Sequence, residues 1–189
     1  MNEQVFPSSY IHRILMPNKI QLWLIAYRKL TFILGQPHSL LHPWNFLYYI
    51  YYRYKYYFLS NATGFQIPPG YIGYGCRIGH WGSIVINGNG HIGNYCCLHN
   101  LVTFADGGKK IIGDRCFIGT GVTIAKEVEI GDDCKLSANS FINKTFKRDC
   151  VLIGGVPAKI LKNCSSWVDE EPYRTEWEQC EKLRASMGL

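Results

Sequence analysis

The sequence predicts a mainly β protein built as a parallel β-helix, with a helical lobe before it and a short helix after it. Three observations predict this fold. Aliphatic residues recur every six positions, small residues follow many of them, and the period is absent at both ends of the chain. A period of six matches neither the 3.6 residues of a helical turn nor simple strand alternation. It is typical of stacked units that each contain one short strand and one turn.

The repeating aliphatic positions, here called anchors, run through the middle of the chain. They are Ile67, Ile72, Ile78, Ile84, Ile92, Leu98, Phe104, Ile112, Ile118, Ile124, Ile130, Leu136 and Ile142. Glycine follows many anchors, which suits a tight corner where a side chain would crowd the next coil. Two steps, from Ile84 to Ile92 and from Phe104 to Ile112, are eight residues long. They predict outward loops at NGNG (residues 87–90) and ADGGKK (residues 105–110).

Four of the eight cysteines lie two positions before an anchor. Because strand side chains alternate, these residues should share the inward face of the anchors. We predict that they are small buried hydrophobes rather than reactive or metal-binding thiols. They are Cys76, Cys96, Cys116 and Cys134. The N-terminal residues show no apolar segment behind a basic end, so we expect no secretory signal and a cytoplasmic location.

The parts without the period set the domain organisation. We predict a mostly helical lobe over residues 1–62, the β-helix over residues 63–162 and a helical tail over residues 163–189. The lobe contains WNFLYYIYYRYKYYF (residues 44–58), with seven tyrosines. This run is too short and too charged to cross a bilayer. Packing against a neighbouring subunit or domain edge is the favoured interpretation, and membrane-surface contact and acceptor binding stay open.

The charge is unevenly distributed along the chain. There are 20 Lys and Arg residues against 14 Asp and Glu residues, a net charge of +6, and most of the excess lies in the first 60 residues. A solvated basic face explains this excess as well as a partner does. Nucleic acid, an anionic membrane surface and a phosphorylated small molecule would each be attracted by it. We expect no nucleic acid among the partners.

Several motifs occur in order between residues 63 and 162: TGFQIPP, IGHWGSIVIN, IGNYCCLHNLVTF, IGDRCFIGTGVTI and GGVPAKIL. With these motifs the chain resembles hexapeptide-repeat acetyltransferases, especially the serine acetyltransferase-like branch that includes polysaccharide O-acetyltransferases. The resemblance implies a left-handed β-helix and a homotrimer. It also implies active sites at the clefts between subunits and acetyl-CoA as the acyl donor.

The resemblance places the catalytic base at His80, two residues after the Ile78 anchor. A hydroxyl attacks a thioester poorly until its proton is removed, and imidazole titrates near the working pH. His91 and His99 are rival candidates in other phases of the repeat. These unequal phases also argue against a three-histidine zinc site, so we expect no metal.

Other positions carry weaker assignments. Asn100 or backbone amides are candidate donors to the oxyanion of a tetrahedral intermediate, although a turn role explains Asn100 equally well. The resemblance implies CoA contacts at Thr120, Gly121, Gly155 and Lys159. Lys159 is the clearest phosphate ligand, unless it is only solvated.

Two positions depart from the serine acetyltransferase pattern. The upstream aspartate that orients the histidine in that family corresponds to Gln66 here, which we assign to acceptor binding, so that a backbone carbonyl could orient His80 instead. The aspartate just before the histidine is Gly79. A second active-site histidine in the ADGGKK region is also missing. A neutral sugar needs no carboxylate, so these differences favour a saccharide acceptor, with Trp81 stacking on the sugar or packing between coils.

The predicted function is therefore transfer of acetyl from acetyl-CoA to a saccharide hydroxyl in surface polysaccharide biosynthesis. Serine O-acetylation is the first alternative. A noncatalytic β-helix that serves as a binding module is the second.

Overall fold

The computed structural model describes residues 18–36 and 42–187. Residues 1–17, 37–41 and 188–189 belong to the predicted lobe and tail and lie outside the described residues. The chain forms two compact units that divide between Thr63 and Gly64.

The first unit is a pair of helices, α1 (Lys19–Leu34) and α2 (Pro43–Thr63). Asn18 caps α1 by accepting a hydrogen bond from the Ile20 amide at 2.9 Å. Within α1, Trp23 stacks on Tyr27 with ring centroids 4.9 Å apart. The Trp23 Nε1 donates a hydrogen bond to Ser60 Oγ of α2 at 2.9 Å. The predicted helical lobe is confirmed. Within the described ranges, neither helix is long and apolar enough to span a bilayer.

The second unit is a parallel β-helix of about five turns. Its strands are β1 (Phe65–Gln66), β2 (Arg77–Ile78), β3 (Ile84–Ile86), β4 (Gly90–Ile92), β5 (Cys97–Leu98), β6 (Val102–Phe104), β7 (Lys110–Ile112), β8 (Phe117–Ile118), β9 (Thr123–Ile124), β10 (Val128–Ile130), β11 (Lys135–Leu136), β12 (Phe141–Ile142), β13 (Val151–Gly155) and β14 (Ala158–Asn163). They form three sheets, with the orders β1-β3-β6-β9-β12, β4-β7-β10 and β2-β5-β8-β11-β13-β14. All pairs are parallel except the terminal hairpin of β13 and β14. The predicted fold class, a parallel β-helix flanked by helices, is confirmed.

The anchors point into the β-helix, as predicted, and are buried. The four cysteines of the repeat are buried beside them and make a ladder of sulfur hydrogen bonds between coils. The Cys96 thiol donates to the Gly113 carbonyl at 3.1 Å and accepts from the Cys116 amide at 3.3 Å. Burial raises the pKa of Cys96 well above its ordinary value, so this thiol stays protonated. The prediction that these four cysteines are buried on the inward face is confirmed.

The strand register corrects one predicted loop. Ile84 pairs with Val102 and Ile86 pairs with Phe104, so Ile86 is the true anchor of its coil. The two extra residues therefore lie between Ile78 and Ile84, in HWGS, and NGNG is a corner of ordinary length. The prediction of an outward loop at NGNG was wrong because Ile84 and Ile86 both point inward, and a period alone cannot choose between them.

The predicted ADGGKK loop does contain two extra residues, and its own lysine ties it down. Lys110 is fully buried, and its ammonium donates to the carbonyls of Gly107 and Gly108 at 2.7 and 3.2 Å. The apolar stem of the side chain lies in the core while the charge is satisfied by the loop backbone.

Glycines after the anchors permit the close stacking of coils. A Cβ on Gly113 would lie 2.3 Å from Asp132 Oδ1 and 2.7 Å from the Gly131 backbone. Asp132 Oδ1 is held there because it accepts a hydrogen bond from the Asp114 amide at 2.8 Å. Only a residue without a side chain fits this corner.

The C-terminal tail covers the outer face of the sheet that begins with β2. A short 3-10 helix (Trp167–Asp169) and α3 (Tyr173–Ser186) form this cover. The Trp167 indole donates to the Tyr95 carbonyl at 3.1 Å, and Arg77 pairs with Glu176 at 2.8 Å. The predicted C-terminal helix is confirmed.

Candidate active site

The strand register places several predicted site residues in one column along an edge of the β-helix. Ile78, Leu98, Ile118, Leu136 and Ile153 are aligned in neighbouring parallel strands. The residues two positions after them are His80, Asn100, Thr120, Ala138 and Gly155, here called the edge column. Across the two-residue insertion, Gly82 is the residue that lies against Asn100, and His80 stands next to it. With about 4.8 Å between strands, the column extends about 19 Å from the imidazole to the glycine.

The middle of the edge column is rigidly hydrogen-bonded. Thr120 Oγ1 donates to Asn100 Oδ1 at 3.1 Å, and the backbone carbonyl of Asn100 accepts from the Gly121 amide at 3.1 Å. Because the Asn100 oxygen is used as an acceptor, its Nδ2 is the end left to donate, and it points toward Gly82. Among the described residues, no group accepts a hydrogen bond from this Nδ2.

His80 stands at the end of the edge column, beside the two-residue insertion. Its side chain is exposed, and so are those of Trp81 and Ser83. Trp81 is 74% exposed, so it does not pack between coils in the described unit. Its ring projects from the loop that the insertion creates and is free to contact a bound molecule.

His99 is the ring nearest to His80, with centroids 5.5 Å apart and planes at 66°. It is half-buried against Phe117, at a centroid distance of 4.9 Å. Burial, and then the nearby positive charges of His80 and Arg77, lower the pKa of His99 below its ordinary value. His99 therefore stays a neutral ring beside His80 near pH 7.

Two other predicted candidates lie apart from this arrangement. Gln66 is exposed in β1, which belongs to a different sheet from β2, the strand before His80. Within the described residues, no hydrogen bond joins the side chains of Gln66 and His80. His91 is exposed in β4, on the sheet formed by β4, β7 and β10. The imidazole of His80 thus has neither the predicted glutamine nor a backbone carbonyl as a hydrogen-bond partner in the described chain.

The predicted CoA contacts lie toward the other end of the edge column. Gly121 adopts a φ of +73°, and a Cβ there would meet Asn139 Oδ1 at 2.2 Å. Gly155 ends β13 with a φ of +101°, and Lys159 follows on β14, paired with Gly154. Lys159 is exposed and makes no ion pair with the described residues, so its ammonium is available to an anion.

Other surfaces of the described chain offer weaker sites. A shallow depression of about 370 Å³ lies on the sheet that contains β7 and β10, and residues such as Ile111, Glu129 and Lys147 line it. None of the residues that line it belongs to the edge column. In the described residues, no three His, Cys, Asp or Glu side chains are grouped to hold a metal ion.

The repeat and the fold resemble those of hexapeptide-repeat transferases. The family described as bacterial transferase hexapeptide (six repeats) matches residues 109–144. The chain resembles this family over these residues, and the relatives it matches are consistent with the predicted serine acetyltransferase-like branch.

Two curated relatives and one solved structure show the same likeness. The chain is 26% identical over 114 residues to serine acetyltransferase of Synechococcus elongatus, covering 57% of this chain and 46% of that protein. It is 31% identical over 111 residues to serine acetyltransferase of Mycobacterium tuberculosis, covering 55% and 48%. A serine acetyltransferase solved in complex with CoA is 25% identical with a TM-score of 0.61, covering 79% of this chain and 60% of that one. The chain thus spans about half the length of these curated relatives.

These relatives correct the predicted acceptor. A saccharide in polysaccharide biosynthesis was inferred from the missing carboxylates at Gln66 and Gly79, but the similar proteins are serine acetyltransferases. The inference was wrong because carboxylates at two positions are not the sole means of holding an ammonium group. Backbone carbonyls and carboxylates elsewhere can accept the same hydrogen bonds.

Sequence reasoning missed the role of His99 as the neighbour of His80. The two histidines follow different phases of the repeat, one and two residues past an anchor, which argues against contact. In the structure, however, the pairing of Ile78 with Leu98 brings the two segments side by side, and the ring centroids of His80 and His99 lie 5.5 Å apart. The missed signal is this pairing between coils.

Proposed function

We propose that the protein is an acetyl-CoA-dependent serine O-acetyltransferase in which His80 is the general base. The edge column carries this proposal, because it aligns an exposed imidazole, an amide donor and a hydroxyl with a glycine-lined edge that ends near a free lysine. The similarity to serine acetyltransferases, one of them solved with CoA, supports the choice of donor and acceptor.

The chemistry assigned to His80 is a direct transfer. Its neutral imidazole takes the proton from the serine hydroxyl, and the oxygen attacks the thioester carbonyl carbon. The resulting tetrahedral oxyanion accepts a hydrogen bond from Asn100 Nδ2, which has no other acceptor in the described chain. The carbon–sulfur bond then breaks, and protonated His80 returns the proton to the CoA thiolate, leaving O-acetylserine and CoA.

The donor lies along the edge column in this proposal. The acetyl group sits at His80, and the pantetheine arm passes Thr120 and Gly121, where a side chain at Gly121 would have to displace Asn139. The phosphates are then held by Gly155 amides and the Lys159 ammonium. Because the residues between the two ends are small or half-buried, they leave a smooth path for an extended chain.

The acceptor lies on the insertion side of His80. Trp81 and Gln66 are both exposed and are the residues assigned to acceptor contact, without the sugar stacking predicted for Trp81. The remaining elements of the proposal are a homotrimer with the sites at subunit clefts, a cytoplasmic location and no nucleic-acid partner.

The acceptor assignment is tested by measuring CoA release from acetyl-CoA by the full chain. Serine, threonine, glucosamine and a nucleotide sugar are compared at equal concentration, and O-acetylserine is identified by mass spectrometry. We expect serine-dependent CoA release. Acetyl-CoA binding measured by calorimetry without turnover of serine would refute the acceptor, and absence of acetyl-CoA binding would refute the transferase itself.

A further inference from the structure

The outer face of α2 carries a continuous apolar stripe. It consists of Trp44, Leu47, Tyr51, Tyr54 and Phe58, here called the aromatic stripe. The spacing of three and four residues places all five side chains on one face of the helix. They are strongly exposed, with Trp44 at 75%, Tyr54 at 70% and Phe58 at 63%.

The aromatic stripe is not the face by which α2 folds. The buried residues of α2 are Tyr56, Leu59, Ser60 and Thr63, which lie on the opposite side of the helix. That side packs on α1, for example through Trp23, whose ring centroid lies 5.9 Å from that of Tyr56. An exposed apolar stripe of this length is therefore an interaction surface rather than part of the core of the helix pair.

The charge of the same unit indicates the kind of partner. Residues 18–63 contain five Lys and Arg residues and no Asp or Glu. One of these cations, Lys55, lies beside the aromatic stripe. Arg53 lies on the adjoining part of the helix, against Tyr49 and Tyr57. The Lys55 ammonium lies 5.8 Å from the Tyr51 ring centroid, and the Arg53 guanidinium lies 5.7 Å from that of Tyr57.

A second copy of this chain is a poor partner for such a face. Pairing two copies through the aromatic stripe would bring two positive surfaces together without a carboxylate between them, which is repulsive. An anionic bilayer surface supplies the missing negative charge. Tyrosine and tryptophan rings settle at the depth of lipid headgroups, and long cationic side chains at the margins reach the phosphates.

We propose that α2 binds flat on an anionic phospholipid bilayer, with the aromatic stripe in the headgroup region and Arg53 and Lys55 on lipid phosphates. The helix lies on the membrane and does not cross it, because neither described helix of this unit is long and apolar enough to span. This binding is independent of the acetyl-transfer chemistry assigned to the second unit.

The test is cosedimentation of the full chain with phosphatidylcholine vesicles that contain 0 or 30% (about one lipid in three) phosphatidylglycerol. One variant is Arg53→Glu with Lys55→Glu, and a second is Trp44→Ser, Tyr54→Ser and Phe58→Ser. The matched control is Lys144→Glu with Lys182→Glu, which makes the same change in net charge at exposed positions of the second unit. Circular dichroism verifies that each variant keeps its helices.

We expect binding to anionic vesicles that weakens with salt. Loss of two surface cations should lower the partition coefficient at least about 30-fold, from about 1 kcal/mol per cation. The serine variant should lose at least about tenfold, and the control should bind like the wild type. Equal binding by the control and both variants would overturn the proposal. The proposal would also be overturned if the wild type did not bind vesicles but formed an assembly that the triple serine variant dissociates. Binding to a single-stranded oligonucleotide without binding to vesicles would overturn it as well.

Discussion

Asn100→Asp separates the catalytic interpretation of Asn100 from the structural one. The aspartate keeps an oxygen that accepts the 3.1 Å hydrogen bond from Thr120 Oγ1, so the fold of the edge column is retained. It removes the Nδ2 donor and adds a negative charge beside the developing oxyanion. Loss of one such donor typically costs about 3–4 kcal/mol in the transition state, which is a fall in kcat of about 100-fold to 1,000-fold. The KM for serine should change little, because the lost interaction forms only in the transition state.

The assay is steady-state release of CoA by the full chain, together with thermal unfolding. Asn87→Asp is the matched control, since it makes the same chemical change at an exposed corner remote from His80. We expect the control to keep wild-type kcat and both variants to unfold within a few degrees of the wild type. A kcat for Asn100→Asp within threefold of the wild type would show that Asn100 is only a turn residue.

Three further predictions concern stability. Gly113→Ala should lower the free energy of unfolding by about 3 kcal/mol because its Cβ would lie 2.7 Å from the backbone of the next coil. Gly107→Ala, with open space and a φ of +86°, should lower it by about 1 kcal/mol. Because the pKa of His99 is lowered in the folded chain, the unfolded chain binds more protons than the folded chain as the pH falls below about 6.5. The unfolding temperature should therefore decrease below that pH, and it should decrease less in His99→Gln than in the wild type. Burial alone would raise the pKa of Asp133, but the two hydrogen bonds and the charge of Arg115 lower it overall. The pair should therefore stabilise the fold above about pH 4, and this stabilisation should be lost at lower pH. Asp133→Asn should lack it at every pH. A pH dependence of unfolding in His99→Gln or Asp133→Asn equal to that of the wild type would contradict the corresponding assignment. An equal loss of stability in Gly113→Ala and Gly107→Ala would contradict the steric argument.

The solenoid could be predicted from the sequence because its signal is local. Each anchor and each cysteine two positions before it faces inward by the simple alternation of a strand, and stacking repeats that rule in every coil. Cys96 and Cys116, for example, needed no tertiary information to be placed in the core. The helices of the N-terminal unit were likewise indicated by the absence of the period.

Register was harder, because the strand Ile84–Ile86 has two inward isoleucines. The sequence period cannot tell which one is aligned with Phe104, so the two extra residues were assigned to NGNG instead of to HWGS. The error matters for function, since the insertion lies beside His80 and exposes Trp81. Pairing between coils, which the sequence does not encode locally, decides this point.

Part of the site could be inferred and part could not. Asn100, Thr120 and Gly155 were assigned separately, and only strand pairing shows that they share a column with His80. The ammonium of Lys110 is buried and donates to two carbonyls of its own loop. Nothing in the sequence indicated this burial, because a lysine in a glycine-containing loop is ordinarily expected to be exposed. The acceptor was mistaken because single missing side chains were given more weight than the whole motif set.

The kcat of His80→Ala for serine-dependent CoA release shows whether this imidazole is the general base, with His91→Ala as the matched histidine control on another sheet. We predict a loss of about 100-fold or more for His80→Ala and no loss for the control. Free imidazole should restore part of the activity, because the position is exposed. A His80→Ala enzyme that turns over serine at the wild-type rate would contradict the assignment of this imidazole as the base.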